Sequence, residues 1–364
     1  MQYWATIYDY DFGNALTTVF WGDDFYDLEY TTEVNKPGGA KFSLTVLNPK
    51  ATTTNFKMYN KIIIERDGVG VFIGYIENIV ATVNEISVEC VGMLGLFNKR
   101  LFSKVFHTGA GDTAQDAFFE ILTTLNGVSD TGITVGTTDI DYDIDRVEFQ
   151  RTPVLTAWRN LAELAGGEFA INTDKTIDFL TRLGTDKSAS ISLRYNVNQI
   201  NSANLREFNV EVQGKDTFNK VTGIRKGGTT DTYSDATSIS NFGMLEIAVN
   251  QAQLDSGTDL TNAMTSYIDQ RKIEFYSPKV VIDERKIDIT SLELGDTVKV
   301  DLNNGFMTLA LNERIIKREI KVSDNAVEVV QLGLIASTGN LLPSSFLSDI
   351  MNIEKRVDLL ESEL

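Results

Sequence analysis

The sequence predicts a mainly β protein with an α+β insert, in which two related β-barrel domains flank a small α+β domain and a coiled-coil helix follows. Three observations carry this. Short runs rich in Val, Ile, Phe and Thr fill residues 1–100 and return over 187–336. Between them, over 101–186, the apolar spacing changes to a helical period. After a linker, the stretch 337–364 ends on "FLSDIMNIEKRVDLLESEL", whose apolar residues recur at alternating steps of four and three.

In the first domain, "KFSLTVLN", "NKIIIERDG", "VGVFIGYIENIVAT" and "EISVECVGML" read as strands separated by turn formers such as Asp67-Gly68 and Val83-Asn84. So many short strands predict a sandwich or small barrel. In the insert, the loop "HTGAGD" leads to a helix. Asp112 is its expected cap, with Gln115 at capping-box spacing, and Ala114, Ala117, Phe118, Ile121, Leu122 and Leu125 form its buried stripe. A second helix is expected over "TPVLTAWRNLAELAGG", with Thr152 as N-cap, Pro153 as first residue and Gly166-Gly167 as stop. "EFAINTDKTIDFL" then predicts two short strands around a polar turn. The third domain is interrupted by "KGGTTDTYSDATSISNFG", expected to be a flexible surface loop, and by a helix over "DLTNAMTSYIDQRKIEF".

Residues 60–93 and 296–333 share an order of features: an alternating strand, an Asp-Gly or Asn-Gly turn, a long strand pair, a polar turn and a further alternating strand. Glu89 follows Gly68 by 21 residues and Glu328 follows Gly305 by 23. This faint repeat is why the two β-domains are read as related. In the last segment Ile350, Val357 and Leu364 fall at a positions and Phe346, Ile353 and Leu360 at d. A helix of about 19 residues is marginal alone, so it needs partners, and copies of itself are the simplest. Arg356 at g and Glu361 at the following e would pair across parallel helices, whereas Asp349 and Glu354 would repel. Folding back on its own domain is the other use of such a seam.

The 364 residues carry 33 basic and 51 acidic side chains, a formal charge of −18, which argues against a phosphate-binding surface. DNA is expected to slide past rather than stick. No apolar run approaches the roughly 18 residues of a membrane span, and "MQYWATIYDYD" is acidic and aromatic where a secretory signal is basic and then apolar. Cys90 is the only cysteine, so no intrachain disulfide forms, and its apolar setting predicts burial. His107 is the only histidine, which removes most catalytic and zinc motifs; it reads as an ordinary loop residue. "GAGDTA" matches a dinucleotide fingerprint only formally, since no parallel βαβ unit surrounds it. "DIDYDIDR" places Asp139, Asp141, Asp143 and Asp145 like a calcium loop but puts Ile144 where Gly belongs and Gln150 where Glu belongs; a strand with one wet acidic face is expected. Paired carboxylates for glycoside hydrolysis remain open. Of the possible sugar platforms Trp4, Trp21 and Trp158, the last is expected in a helix core.

Four stretches resemble baseplate hub or tail-tip proteins of tailed bacteriophages. "KPGGAKFSLTVLN" with "NKIIIERDGVGVFIGYIENI" is similar to the first hub barrel, and "AWRNLAELAGGEFAINTDKTIDFL" to the intervening domain. "DTFNKVTGIRKGG" resembles the entry to the second barrel, and "NFGMLEIAV" through "LELGDTVKVDL" and "NERIIKREIKV" its remainder. The resemblance implies a structural homotrimer that closes the distal end of the tail tube, adapts sixfold to threefold symmetry and forms the channel for tape measure and DNA. It implies no cofactor, no metal and no catalytic residue. Implied partners are the distal tail or tube-end protein, the tape measure protein, receptor-binding or fibre proteins, DNA in transient passage and the host envelope on approach. Assembly in the host cytoplasm and a place at the tail's distal end follow. The heptad residues Phe346, Ile350, Ile353, Arg356, Val357, Leu360, Glu361 and Leu364 would then gather three chains. The lysin, fibre and spike extensions common in such proteins are not expected here, so neither is peptidoglycan-degrading activity. The alternatives are a trimeric carbohydrate-binding or carbohydrate-acting β-protein and a carboxylate enzyme.

Overall fold

Runs of β-branched and aromatic residues bounded by turn formers make the strands of this chain. The computed structural model describes residues 2–107, 112–144, 146–213, 217–225, 230–251, 261, 264, 265, 268, 275–322 and 328–336. The heptad residues from Phe346 to Leu364, and the glycines of "GAGDTA", lie outside the described residues. Contacts divide the chain into two units, one of Met1–Glu207 with Val280–Leu334 and one centred on Phe208–Lys279.

The first unit begins with β1 (Tyr3–Tyr8), β2 (Ala15–Phe20), β3 (Phe25–Glu33), β4 (Lys36–Thr45), β5 (Lys61–Arg66), β6 (Val69–Ala81) and β7 (Glu85–Gly92). Asp67 and Gly68 join β5 to β6 at φ 50° and 87°, the positive values that a two-residue hairpin turn demands. Strands β5, β6 and β7 form an antiparallel meander, flanked by β1 beside β5 and β4 beside β7. Cys90 is buried in β7, and burial pushes its thiol pKa up.

The insert follows as α1 (Leu94–Phe97), β8 (Leu101–His107), α2 (Ala114–Val128), β9 (Thr134–Thr138), β10 (Arg146–Pro153), α3 (Val154–Ala165), β11 (Glu168–Ile171) and β12 (Thr176–Leu180). All six residues of the α2 stripe are buried. The cap, however, is Thr113, whose hydroxyl accepts from Asp116 N at 3.1 Å; Asp112 instead accepts from His107 N at 2.9 Å. Thr152 and Pro153 are not the start of α3. They stay extended in β10 because the ladder with β8 sets them opposite Phe102 and Leu101. Gly166 at φ 65° ends α3, and the Gly167 amide donates to the Ala162 carbonyl at 2.7 Å. The core is aromatic: Phe118 stacks on Phe179 at 4.3 Å and on Trp158 at 4.9 Å, and the buried Trp158 indole donates to the Phe118 carbonyl. Residues 139–144 form no strand; Ile140 and Ile144 enter this core, while the Asp139 carboxylate accepts from the Thr181 hydroxyl at 2.8 Å.

β13 (Ser192–Asn196) and β14 (Leu205–Gln213) follow. In the second unit β15 (Lys220–Arg225) lies between antiparallel β16 (Thr230–Ser234) and parallel β17 (Glu246–Gln251), with α4 (Ala236–Phe242) before β17. The stretch expected as a flexible loop therefore holds a strand and a helix, the latter capped by the Asp235 carboxylate on Ser238 N. The described positions 261, 264, 265 and 268 of the expected later helix are helical. β18 (Phe275–Ile282) leads back to β19 (Thr297–Asn303), β20 (Thr308–Val322) and β21 (Glu328–Ala336).

The main sheet orders as β14-β18-β21-β20-β3-β4-β7-β6-β5-β1-β2, with β19 beside β20 and β13 beside β19. The mainly β fold with its α+β insert stands, but the two barrels do not. Among the described residues no pairing closes a ring. Lys317–Lys321 of β20 pair with Glu29–Glu33 of β3, so both β segments share one open sheet. Ladder groups that would close each barrel separately join the halves instead. The expected repeat is visible as two three-strand meanders, β5-β6-β7 and β19-β20-β21.

Candidate functional site

A chain whose sequence points to a scaffold should show its function in the groups that fix its parts against one another. Three such junctions stand out in the first unit.

At the first, β21 opens on Glu328, which is 2% exposed. Arg66, at the end of β5, takes its carboxylate in a two-pronged grip, Nε to Oε1 at 2.6 Å and Nη2 to Oε2 at 3.0 Å. The Tyr3 hydroxyl donates to the same Oε1, and the Tyr30 hydroxyl lies 3.3 Å from that of Tyr3. Burial first, then the neighbouring Tyr30 and Glu328, push the Tyr3 pKa up. Burial works against the Arg66 charge, but the Glu328 carboxylate outweighs it and the pKa rises. Four residues from β1, β3, β5 and β21 thus saturate one another.

At the second, Arg314 of β20 and Glu168 of β11 are both 6% exposed and form a two-pronged pair through both guanidinium ends. Arg314 also donates to the Gly295 and Leu183 carbonyls, each at 2.9 Å, and Glu168 accepts from Leu183 N at 3.0 Å. The backbones meet here: a Cβ on Gly184 would lie 2.2 Å from the Gly295 carbonyl carbon, so only glycine fits. Beside them, fully buried Asp296 accepts from Thr185 N at 2.8 Å and pairs with Lys187 at 2.8 Å.

At the third, Asn35 adopts φ 56° in the turn between β3 and β4. Its carbonyl accepts from Arg159 of α3 at 3.1 and 3.2 Å, and its side-chain oxygen accepts from Phe169 N at 2.8 Å. Burial lowers the Arg159 pKa. The insert is therefore held by α3 and β11 to the β3–β4 turn and by β11 to β20.

None of these groups is poised for chemistry, because every carboxylate in them is consumed by an arginine, a lysine or a backbone amide. Glu313 differs. It is 0% exposed, opposite Val298 in the ladder, and neither carboxylate oxygen has a hydrogen-bond partner among the described residues. Burial alone pushes its pKa up to about 7. Among the described residues no three His, Cys, Asp or Glu side chains converge on a metal site, and no helix is long and apolar enough to cross a membrane. His107 is exposed at the end of β8, and Trp4 and Trp21 are half-buried. Sequence reasoning pointed to none of the three junctions, since isolated charges in strands read as surface.

No family model matches the sequence and no curated protein matches it. Solved structures do. The 43 kDa tail protein of prophage MuSo2 from Shewanella oneidensis is 14% identical, with 92% of this chain and 98% of that one covered at a TM-score of 0.67. A tail protein from Neisseria meningitidis is 12% identical, covering 93% and 97%, also at 0.67. An Escherichia coli component of the type VI secretion system, itself structurally similar to the T4 bacteriophage tail proteins gp27 and gp5, is 10% identical, covering 87% and 74% at 0.51. Over nearly its whole length this chain has the fold of phage tail proteins.

Proposed function

We propose that this chain is a structural tail hub: a homotrimer that closes the distal end of a phage tail tube, matches sixfold tube to threefold tip, and forms the exit channel for tape measure and DNA. The observation that carries the reading is the joining of two like meanders in one sheet through β4 and β3. Three copies then present six similar strand sets, the number a sixfold tube needs. The whole-length likeness to the fold of tail proteins supports it.

The heptad residues Phe346 to Leu364 would clasp the three chains on the axis. The charge of −18 suits a channel wall that repels DNA, so passage is not slowed by adhesion. Immunogold labelling of intact particles tests the placement: label is expected at the distal tail end, and label along the tube or on the head would sink the reading. Native mass spectrometry of the full chain tests the trimer. Incubation of the pure protein with cell-wall substrate is expected to release nothing.

A further inference from the structure

Strand β6 outruns its neighbour. β5 begins its pairing at Lys61 opposite Tyr75, and beyond that point only two bonds continue the ladder: the Ile76 amide on the Asn60 carbonyl and the Tyr59 amide on the Ile76 carbonyl, both at 2.9 Å. There the chain leaves. Residues 57–60 form a turn, closed by the Asn60 amide on the Lys57 carbonyl at 3.1 Å, with Tyr59 at φ 68°. An aromatic residue rarely takes that conformation, and here it carries the chain off β6. β6 runs on to Ala81 paired only with β7.

The direction of the unpaired groups follows from the β6–β7 hairpin. The Thr82 amide donates to the Glu85 carbonyl at 2.8 Å, so the next pair, Ala81 and Ile86, exchanges no bonds, and neither does Ile79 with Val88. The N–H and C=O of Ile79 and Ala81 therefore point away from β7, and no group among the described residues takes them. Residues 80–84 are exposed, and residues 79–84 carry no charge. The nearest acids are engaged: Glu77 with Lys99 at 2.9 Å, Glu85 with the Ser43 hydroxyl at 2.6 Å and Glu89 with Lys41 at 3.1 Å.

The outer strands of the same sheet are guarded. On β2 the Asp24 carboxylate takes the Phe20 amide at 2.9 Å. On β13 the Asn204 side chain takes the Arg194 amide at 2.6 Å, and the Asn204 amide donates to the Arg194 carbonyl at 3.0 Å. β14 carries the exposed charges of Arg206 and Glu207. Such caps and charges keep a strand edge from pairing. The β6 overhang has neither, while its Ile79, Val80 and Thr82 favour a strand.

We propose that the β6 overhang at Ile79 and Ala81 is a strand-addition site for an extended, uncharged segment of a different protein. Outward amides and carbonyls at ladder spacing are matched by another extended backbone. A charged residue in the centre of that segment would lose water with no free counter-charge to meet it, so its central residues are uncharged. The inference rests on the hub reading in one respect. Two copies pairing by this same edge would be related by a twofold axis, which a threefold ring lacks, so the occupant belongs to another kind of chain.

The test mixes the full chain with a blocked synthetic peptide, Lys-Thr-Val-Thr-Val-Thr-Lys, and follows amide hydrogen exchange residue by residue. In the free chain the Ile79 and Ala81 amides should exchange fast, and that of Val80, directed at Ser87, slowly. Millimolar peptide should slow Ile79 and Ala81 at least about tenfold. The same peptide with its central threonine replaced by aspartate should not. Ala81→Pro removes one outward amide and leaves the bonds to β7, so it should stay folded and lose the slowing at Ile79, whereas Ala81→Val should keep it. No slowing in the wild type, or equal slowing by the aspartate peptide, would overturn the proposal and leave the hub reading to immunogold labelling. Protection already present in the free chain would overturn it too: if it fades on dilution the edge belongs to a second copy, and if it persists the chain covers its own edge.

Discussion

The meanders β5-β6-β7 and β19-β20-β21 follow the same path but bury charge to different extents. In the first, β5 reads Lys-Ile-Ile-Ile with those positions buried, and Glu89 of β7 stays at the surface with Lys41 at 3.1 Å. The last buries Glu313, Arg314 and Glu328. Apolar burial holds a strand in place without choosing its neighbour. A buried two-pronged ion pair adds little net stability yet penalises any other arrangement, because either partner alone is costly. The first meander is thus a packed unit and the last is an addressed one, its charges reaching Arg66 of β5 and Glu168 of the insert.

Breaking the addresses has the largest expected effect. Arg314→Ala leaves the Glu168 carboxylate buried with only the Leu183 amide, and should lower stability by about 3–5 kcal/mol. Lys41→Ala, which strips the exposed partner of Glu89, should cost less than about 1 kcal/mol. Urea unfolding of both variants decides: equal losses would erase the distinction between the meanders.

Among the described residues Glu313 is the one buried acid left without an address, and its substitution sharpens the comparison. Its pKa is raised from 4.5 to about 7, so the folded state binds the proton more tightly than the unfolded one. Stability should therefore fall as pH rises from about 4.5 through about 7, with the full penalty above that. At about 1.4 kcal/mol per pKa unit, Glu313→Leu should gain up to about 3 kcal/mol at pH 8 and little at pH 4. A gain that does not change with pH would mean the carboxylate is solvated.

Lys61 is the corresponding charge in the first meander, 2% exposed with its ammonium 5.5 Å from the Tyr75 ring centroid. Burial, offset in part by Asp11, lowers its pKa from 10.5 to about 8. Here the unfolded state binds the proton more tightly, so the penalty is complete below about 8 and fades as pH climbs toward 10.5. Lys61→Met should raise stability at pH 7 by about 2 kcal/mol, some of the cost being offset already by the ring. Thermal melts at pH 7 and pH 10 should show the gain shrinking, the reverse of the Glu313 trend.

What the sequence disclosed divides along the same line. Strand runs, the α2 stripe and the Gly166 stop were legible because each is written in neighbouring residues. Thr152 and Pro153 misled because a ladder to β8, set 50 and 52 residues away in the two pairings, overrode a sound local helix start. The barrels failed likewise: closing or opening a sheet is decided by which edges meet, and β3 and β20 are nearly 290 residues apart. The junction charges were illegible because Arg314 and Glu168 are separated by 146 residues, and Arg66 and Glu328 by 262. Even the matched spacing of Glu89 and Glu328 misplaces them, one in the middle of β7 and the other at the first residue of β21.

The turns are where the two meanders agree, and there the smallest effect is expected. Gly68 and Gly305 both sit at φ 87°, and a Cβ would meet nothing within 4 Å at Gly68 and only an ordinary contact at Gly305. Any cost of Gly68→Ala or Gly305→Ala is therefore backbone strain alone, about 1–2 kcal/mol, and should be the same in both. Unequal losses in urea would show that one turn is held by more than its own conformation. For Gly305 that surplus would come from Asn303, whose side chain accepts from Gly305 N at 2.9 Å, and Asn304, which accepts from Phe306 N and Met307 N at 3.0 and 2.8 Å. It would mark the last meander's turn as fixed by its side chains, unlike its counterpart in the first.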